Sequence, residues 1–303
     1  MINKNAKIYI AGHKGMVGSS IFRKLQKEGY RNLIFKTSKE LDLRNQLLVK
    51  NFIKKENPDL IVNAAAKVGG IYANNNNQYD FLMDNMLIQN NLISSAVENK
   101  IQNFIFLGSS CIYPRNSKQP IDEDQLLESQ LEKTNQWYAI AKISGVKLIE
   151  SIRNTYGYDY VSLMPTNLYG PNDNYDLKNS HVLPALIRKF HEAKINNSRV
   201  VLWGSGSPLR EFLHVDDLSE AVFHFVENTS KHHIYNVGSG NEISIKELAN
   251  LIQSIVGHKG EIFFDKNFPD GTPRKKLNSS RMNNLGWKSK IDLKDGIKST
   301  YFL

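Results

Sequence analysis

The chain has 303 residues and a single cysteine, Cys111. One thiol rules out an intrachain disulfide framework and a cysteine-based metal cluster, and no metal is expected. No apolar run approaches the roughly 20 residues that a membrane-spanning helix needs. The N-terminus passes straight into Ala6-Lys7-Ile8-Tyr9-Ile10-Ala11 without an apolar leader, so a cytoplasmic protein with no membrane partner is expected. Acidic residues are the minority, 30 against 39 Lys and Arg, for a formal charge of +9. The basic residues are scattered, with no dense run and no interleaved aromatics. A lysine-rich solvated surface that favours small anionic ligands therefore reads better than nucleic-acid binding. No repeat or low-complexity linker divides the chain.

What is present is an alternation of short apolar runs with longer amphipathic ones. Strands are expected over residues 7–11, 33–36, 60–64, 104–107 and 161–164, with helices over 16–28, 45–56, 84–99 and 135–156 between them. Such alternation predicts an α/β fold, a doubly wound parallel sheet with helices on both faces. After Pro165 the regularity loosens. Helices over 182–194, 218–227 and 245–256, the last behind the N-cap Ser244, accompany strands over 200–203 and 234–237. Residues 74–78 read as a loop, and the tail from Gly271 as polar and irregular. The division expected is a cofactor-binding half, 1–165, and a smaller substrate lobe, 166–303, with some elements returning to the sheet.

Directly after the first strand stands Gly12-His13-Lys14-Gly15-Met16-Val17-Gly18. A G-x-x-G-x-x-G turn that opens a helix lets backbone N–H groups approach a pyrophosphate, whose charge the helix N-terminus stabilises. Where an acidic residue for a ribose 2′-hydroxyl would end the second strand, the chain has Phe35-Lys36-Thr37-Ser38-Lys39. Lys36 and Ser38, with Lys14, suit a 2′-phosphate, so NADPH/NADP is favoured over NAD; these lysines equally suit a solvated surface.

Tyr138 and Lys142 lie one helical turn apart and share a helix face. A phenol, with a pKa of about 10, is a poor proton carrier near neutrality unless a neighbouring cation favours its anion. Upstream, Gly108-Ser109-Ser110-Cys111 follows an apolar strand. Tyr and Lys at this spacing also occur on ordinary solvated helices, and a lone Cys is usually a small buried hydrophobe.

Taken together, the glycine turn, Leu41-Asp42-Leu43, Asn63-Ala64-Ala65-Ala66 and the Ser, Tyr and Lys residues resemble the extended short-chain dehydrogenase/reductase family. Five strings narrow the likeness: 11–18, 64–71, 107–114, 164–171 (Met-Pro-Thr-Asn-Leu-Tyr-Gly-Pro) and 210–217 (Arg-Glu-Phe-Leu-His-Val-Asp-Asp). They resemble the branch that epimerises GDP-4-keto-6-deoxy-mannose at carbons 3 and 5 and reduces it at carbon 4. The likeness spans residues 6 to about 300. It implies that Tyr138 protonates the carbon-4 oxygen, that Lys142 binds the nicotinamide ribose and lowers the Tyr138 pKa, and that Ser109 hydrogen-bonds the same oxygen. Gly12, Lys14, Gly15, Met16, Val17, Gly18, Lys36, Ser38, Asp42, Ala65, Pro165, Asn167, Leu168 and His181 would line the cofactor. Cys111 and His181 would be the epimerase pair, one on each face of the sugar. Ser110, Lys189 or Arg188, Trp203, Arg210 and Asp270 would hold the GDP-sugar; core packing is a second reading of Trp203. A homodimer formed through the helices at 84–99 and 135–156 is implied as well.

Two departures from that pattern leave the sugar open. Trp137 stands before Tyr138 where a smaller residue, commonly proline, is expected, and the stretch Tyr72-Ala73-Asn74-Asn75-Asn76-Asn77 differs from the usual one. A reductase acting alone on a related GDP-linked 4-keto sugar such as a heptose, with epimerisation left to another protein, is the alternative. A non-catalytic cofactor-sensing module is disfavoured because Ser109, Tyr138 and Lys142 are all present.

Overall fold

The computed structural model describes residues 2–177, 179–268 and 270–302. The first segment runs β1 (Ile8–Ala11), α1 (Met16–Lys27), β2 (Leu33–Ile34), α2 (Gln46–Glu56), β3 (Leu60–Asn63), α3 (Ile71–Asn76), α4 (Gln78–Glu98), β4 (Asn103–Leu107), α5 (Gln136–Tyr156) and β5 (Asp159–Pro165). The second runs β6 (Asn167–Tyr169), α6 (Val182–Ile195), β7 (Val200–Trp203), β8 (Leu209–His214), α7 (Val215–Glu227), β9 (Ile234–Val237), β10 (Glu242–Ser244), α8 (Ile245–Val256), β11 (Ile262–Asp265), β12 (Arg274–Lys275), α9 (Ser280–Asn283) and α10 (Leu293–Phe302).

The main sheet is parallel, in the order β2-β1-β3-β4-β5-β9. Strands β1 and β3 are buried along their whole length and mostly apolar, as cover on both faces demands. One face packs against α2, α4 and α5 through Val49, Leu92, Phe104, Phe106 and Val146. The other packs against α1 and α7 through Ile8, Ile21, Leu25, Leu218 and Val222. The doubly wound fold read from the sequence is therefore the fold observed. Strand order reverses between β1 and β3, which places the ligand crevice outside their carboxyl ends. A third core, including Leu186, Phe190, Leu202, Leu248, Ile252 and Ile297, belongs to the smaller lobe. There β8 pairs with β6, β10 and β12, and β7 pairs with β11.

The structure departs from the sequence expectation in several places, and β6, β10, β11 and β12 are strands the sequence pattern did not announce. Residues 74–78 are mostly helical rather than a loop, α4 starting at Gln78 rather than at 84. Asparagine side chains satisfy the helix's own carbonyls there: Asn76 donates to Tyr72 O at 2.7 Å and Asn77 to Ala73 O at 3.0 Å. Strand β2 stops at Ile34, because Phe35 turns out of the sheet to lie 4.6 Å from the ring of His13. The tail is ordered, with Ile297 and Trp287 buried and the Trp287 indole donating to Asp217 O at 3.2 Å. Strand β8 escapes an apolar pattern because Glu211 at its centre is fully buried, its carboxylate accepting from the amides of Gly240 (2.7 Å) and Leu277 (3.0 Å).

Candidate active site

The glycine turn closes between β1 and α1. Gly12 takes a positive φ of 83°, and a Cβ there would stand 2.8 Å from the backbone of Ala64 and Ala65. A Cβ on Gly18 would collide with the Gly12 carbonyl. Both glycines are thus fixed by close packing of strand, turn and helix. Gly15 differs, since its nearest atom to an added Cβ is 3.5 Å away. Nothing in the protein requires glycine at Gly15, whereas the close approach of a phosphate would. The α1 N-terminus carries no side-chain cap and no acidic first-turn residue. Its N–H groups suit an anion, so a nucleotide diphosphate fits the turn.

Around the turn, Lys14 and Ser38 are exposed. Lys36 lies 3.5 Å from Glu40, whose carboxylate also accepts from the amide and hydroxyl of Thr37. Asp42 is chelated by Arg44 at 2.8 Å. The Ala65 amide donates to Asn63 Oδ1 at 3.1 Å, and Asn167 Nδ2 donates to Glu211 O at 2.8 Å, fixing the loop ends that follow β3 and β5. Pro165 closes β5 and Leu168 lies within β6.

At the end of β4, Ser109 begins a short 3-10 turn over residues 110–112, its Oγ accepting from the Cys111 amide at 3.2 Å. Gly108 permits this turn, since a Cβ there would strike the Met164 side chain. Ser110 is buried beneath it. Tyr138 projects from the first turn of α5, close enough to Ser109 for that residue to favour its ionised form. Lys142, one turn on, is only 3 % exposed and donates to Leu107 O at 2.8 Å. Burial pushes its pKa down to about 7. Burial raises the Tyr138 pKa and the neighbouring Cys111 raises it further, opposed by Ser109. The expected lowering by Lys142 is therefore not what this structure shows. Its ammonium is 5.8 Å from the phenol ring centroid and bonded to a carbonyl, so it does not offset burial.

Cys111 is half-buried, with Asn135 Nδ2 3.3 Å and Lys275 Nζ 3.6 Å from its sulfur. Arg210 is lowered in pKa by burial, with Cys111 and Asp270 nearby, and its Nη1 donates to the carbonyls of Leu209 (2.8 Å) and Thr272 (2.6 Å). Asp270 is held by Ser205, through the amide at 2.8 Å and the hydroxyl at 2.7 Å. Trp203 is exposed, stacked on Phe268 at 4.5 Å, with Lys189 Nζ 5.6 Å from its ring. It is a surface platform, not core. Of the two basic candidates on α6, Lys189 faces Trp203. Arg188 is turned away, its Nε on Glu192 at 2.7 Å and its Nη1 on Tyr175 O at 3.0 Å. His181 sits at the start of α6: its surface reaches water, while desolvation by the surrounding protein holds its pKa below the ordinary imidazole value. The loop before it is pinned where the Gly70 amide donates to Asn179 O at 2.9 Å. Phe81, lying under Gly69, meets the Tyr138 ring edge-on at 6.4 Å.

Sequence reasoning missed Asn135, Lys275 and Asp173. Asn135 could have been noticed as the residue before a helix, whereas Lys275 stands in the tail with no motif around it. Asp173 carries a buried Oδ2 without a partner, and burial raises its pKa to about 6.

A doubly wound sheet, a glycine turn at its switch point and Ser, Tyr and Lys converging at the end of β4 define a nucleotide-dependent short-chain dehydrogenase/reductase. The chain belongs to the NAD dependent epimerase/dehydratase family, whose model matches residues 8–238. It is 53% identical over 302 residues to GDP-L-fucose synthase 1 of Arabidopsis thaliana, covering 99% of this chain and 94% of that one. To GDP-L-fucose synthase of Escherichia coli (strain K12) it is 51% identical over 306 residues, covering 97% of this chain and 95% of the relative. Among solved structures, GDP-mannoheptose C4 reductase from Campylobacter jejuni with NADP bound superposes with a TM-score of 0.91 at 39% identity, covering 100% of this chain and 99% of that one.

Proposed function

We propose that this chain is an NADPH-dependent enzyme that epimerises a GDP-linked 4-keto-6-deoxy sugar and reduces it at carbon 4, as in GDP-L-fucose synthesis. The observation that carries the reading is the joining of two chemistries in one site: the Cys111 amide donates to Ser109 Oγ at 3.2 Å, and the Cys111 sulfur accepts at 3.3 Å from Asn135, the residue that opens the helix carrying Tyr138 and Lys142. The glycine turn and Lys142 hold the cofactor, with residues 1–165 supplying most of its contacts and residues 166–303 most of the sugar's. When bound, NADPH supplies the hydride that adds to carbon 4.

Tyr138 gives its hydroxyl proton to the carbon-4 oxygen, and its high pKa keeps that proton in place until the oxygen gains charge. Ser109 holds the same oxygen in line. The ketone acidifies the hydrogens at carbons 3 and 5, and Cys111 removes such a proton while His181 returns one on the opposite face. Arg210 and Lys189 meet the diphosphate, and Trp203 offers a face for a ring. Asp270 contributes through Ser205 and Arg210. The chain is proposed to act in the cytoplasm as a homodimer, a reading supported by the exposed apolar Leu87 on α4 and Ile140 on α5, neighbouring helices of one face. No helix among the described residues is long and apolar enough to cross a membrane.

The second reading, reduction alone on a heptose-type sugar, is favoured by Trp137 beside Tyr138 and by the likeness to the heptose reductase. Incubating the enzyme with NADPH and GDP-4-keto-6-deoxy-mannose or a heptose analogue in deuterated water separates the two. Deuterium at carbons 3 and 5 of the reduced product is the expected outcome. Reduction without deuterium selects the second reading, and no reduction of either sugar overturns both.

A further inference from the structure

Inverting two carbons with one thiol and one imidazole leaves a proton balance that the sugar side does not close. In the first inversion the Cys111 thiolate takes a carbon-bound proton and the His181 imidazolium gives one to the other face. A neutral thiol and a neutral imidazole result. The second inversion needs the thiol to lose that proton and the imidazole to gain one, while the sugar covers the side from which the proton came.

Beside Cys111 lies a cavity of about 30 Å³, lined by Cys111, Arg115, Glu132, Asn135, Thr272 and Lys275 among others. That is room for a water, which needs about 10–15 Å³ and two to four polar partners. Asn135 Nδ2 and Lys275 Nζ reach the sulfur at 3.3 and 3.6 Å. Both are donors, so the sulfur is held as an acceptor. Asn135 precedes α5 but its side chain caps nothing, and its Oδ1 is buried with no protein partner. A buried acceptor left over beside a polar, water-sized cavity is satisfied by a water. From there Glu132 takes the Thr272 hydroxyl at 3.4 Å and pairs with Arg115 at 3.3 Å, and the half-exposed Arg115 brings the row to the surface.

We propose that this cavity holds water and is the proton exit of Cys111, with Lys275 and Asn135 positioning the sulfur and Glu132 passing the proton outward. The inference rests on the epimerase role of Cys111. The thiol gives its proton to the cavity water, the water passes it by Glu132 to solvent, and solvent returns a proton to the exposed His181, so that the pair is reset with no net change.

The test follows product from GDP-4-keto-6-deoxy-mannose and NADPH in deuterated water, using wild type, Lys275→Met, Lys275→Arg and Glu132→Gln. Losing a hydrogen bond to a charged group corresponds to about a 10–100-fold effect. The ratio of singly to doubly inverted product should rise on that scale in Lys275→Met, and rise in Glu132→Gln, which leaves the sulfur's own contacts in place. Lys275→Arg should restore most of the wild-type ratio, and reduction of an already epimerised ketone should be unchanged in all three. Iodoacetamide should alkylate Cys111 more slowly in Lys275→Met. An unchanged product ratio, or equal slowing of both inversions, overturns the exit. Deuterium at both carbons from Cys111→Ser would instead overturn the epimerase role beneath it.

Discussion

The residues proposed for reduction and those proposed for epimerisation lie close together but differ in much of their support. Tyr138 and Lys142 come from the first turns of α5, a helix buried against the main sheet, with Ser109 opening the 3-10 turn that follows β4. Cys111 lies within that turn, His181 follows the irregular stretch after Gly170, and Lys275 lies on a strand of two residues. The contrast matches the chemistry. Hydride transfer rewards fixed geometry, in which a displacement of 1 Å is costly, so its groups belong on rigid elements. Proton removal and return require groups that also exchange with water, and loops at the surface provide them.

The sharpest test of that division is a pair of substitutions. Tyr138→Phe should lower reduction about 10²–10⁴-fold, the usual worth of a positioned acid, while deuterium exchange and NADP binding, read by fluorescence titration, persist. Near-normal turnover would remove Tyr138 from its role. Cys111→Ser should do the converse: deuterium incorporation falls about 10²-fold, and an already epimerised ketone is reduced close to the wild-type rate. Loss of both activities in either variant would dissolve the distinction between the two supports.

A smaller effect separates packing from binding inside the glycine turn. Gly18→Ala forces a Cβ into the Gly12 carbonyl and should cost about 1–3 kcal/mol in denaturant unfolding. Gly15→Ala has ordinary space around it, so its stability should stay near wild type while NADP affinity drops roughly tenfold, about 1.4 kcal/mol. Equal stability losses in the two would mean that Gly15, too, serves packing. Smallest is Asp173 on the loop side. Its folded pKa of about 6 lies above the ordinary 3.8. The proton is thus bound more tightly in the folded state, and this contribution to stability is present below pH 4 and lost as pH rises through 6. Asp173→Asn should therefore raise stability by about 1–2 kcal/mol at pH 7 and change little at pH 3.5, as thermal melts at the two pH values would read.

The same contrast governs what the sequence made legible. The parallel sheet, the glycine turn and the Tyr-Lys face were readable because strand burial, helix periodicity and tight turns impose local patterns. Ser244 as the cap of α8 was readable for the same reason, its hydroxyl accepting from the Glu247 amide at 3.1 Å. Lys275 and Asn135 were not, because what makes them matter is a contact with a residue distant in sequence, across 164 positions for Lys275. Strand β8 was missed because a buried carboxylate breaks the apolar pattern, and its compensation by Gly240 and Leu277 amides is visible only in three dimensions. Arg188 and Lys189, adjacent on α6, were indistinguishable until the helix face assigned one to Trp203 and the other to Glu192.

Strand β9 has a bearing on how the protein is made. It completes the main sheet beside β5, all four of its residues are buried, and it arrives only after the smaller lobe has begun. During synthesis the ribosome must therefore deliver β6 through α7 while β5 remains an open edge, with Ser162 to Pro165 not yet paired. A fragment ending at Pro165 would keep that edge for good and be prone to aggregate. The sheet that carries the glycine turn is thus finished by a strand from the later part of the chain, and a fragment ending at Pro165 lacks one of its six strands.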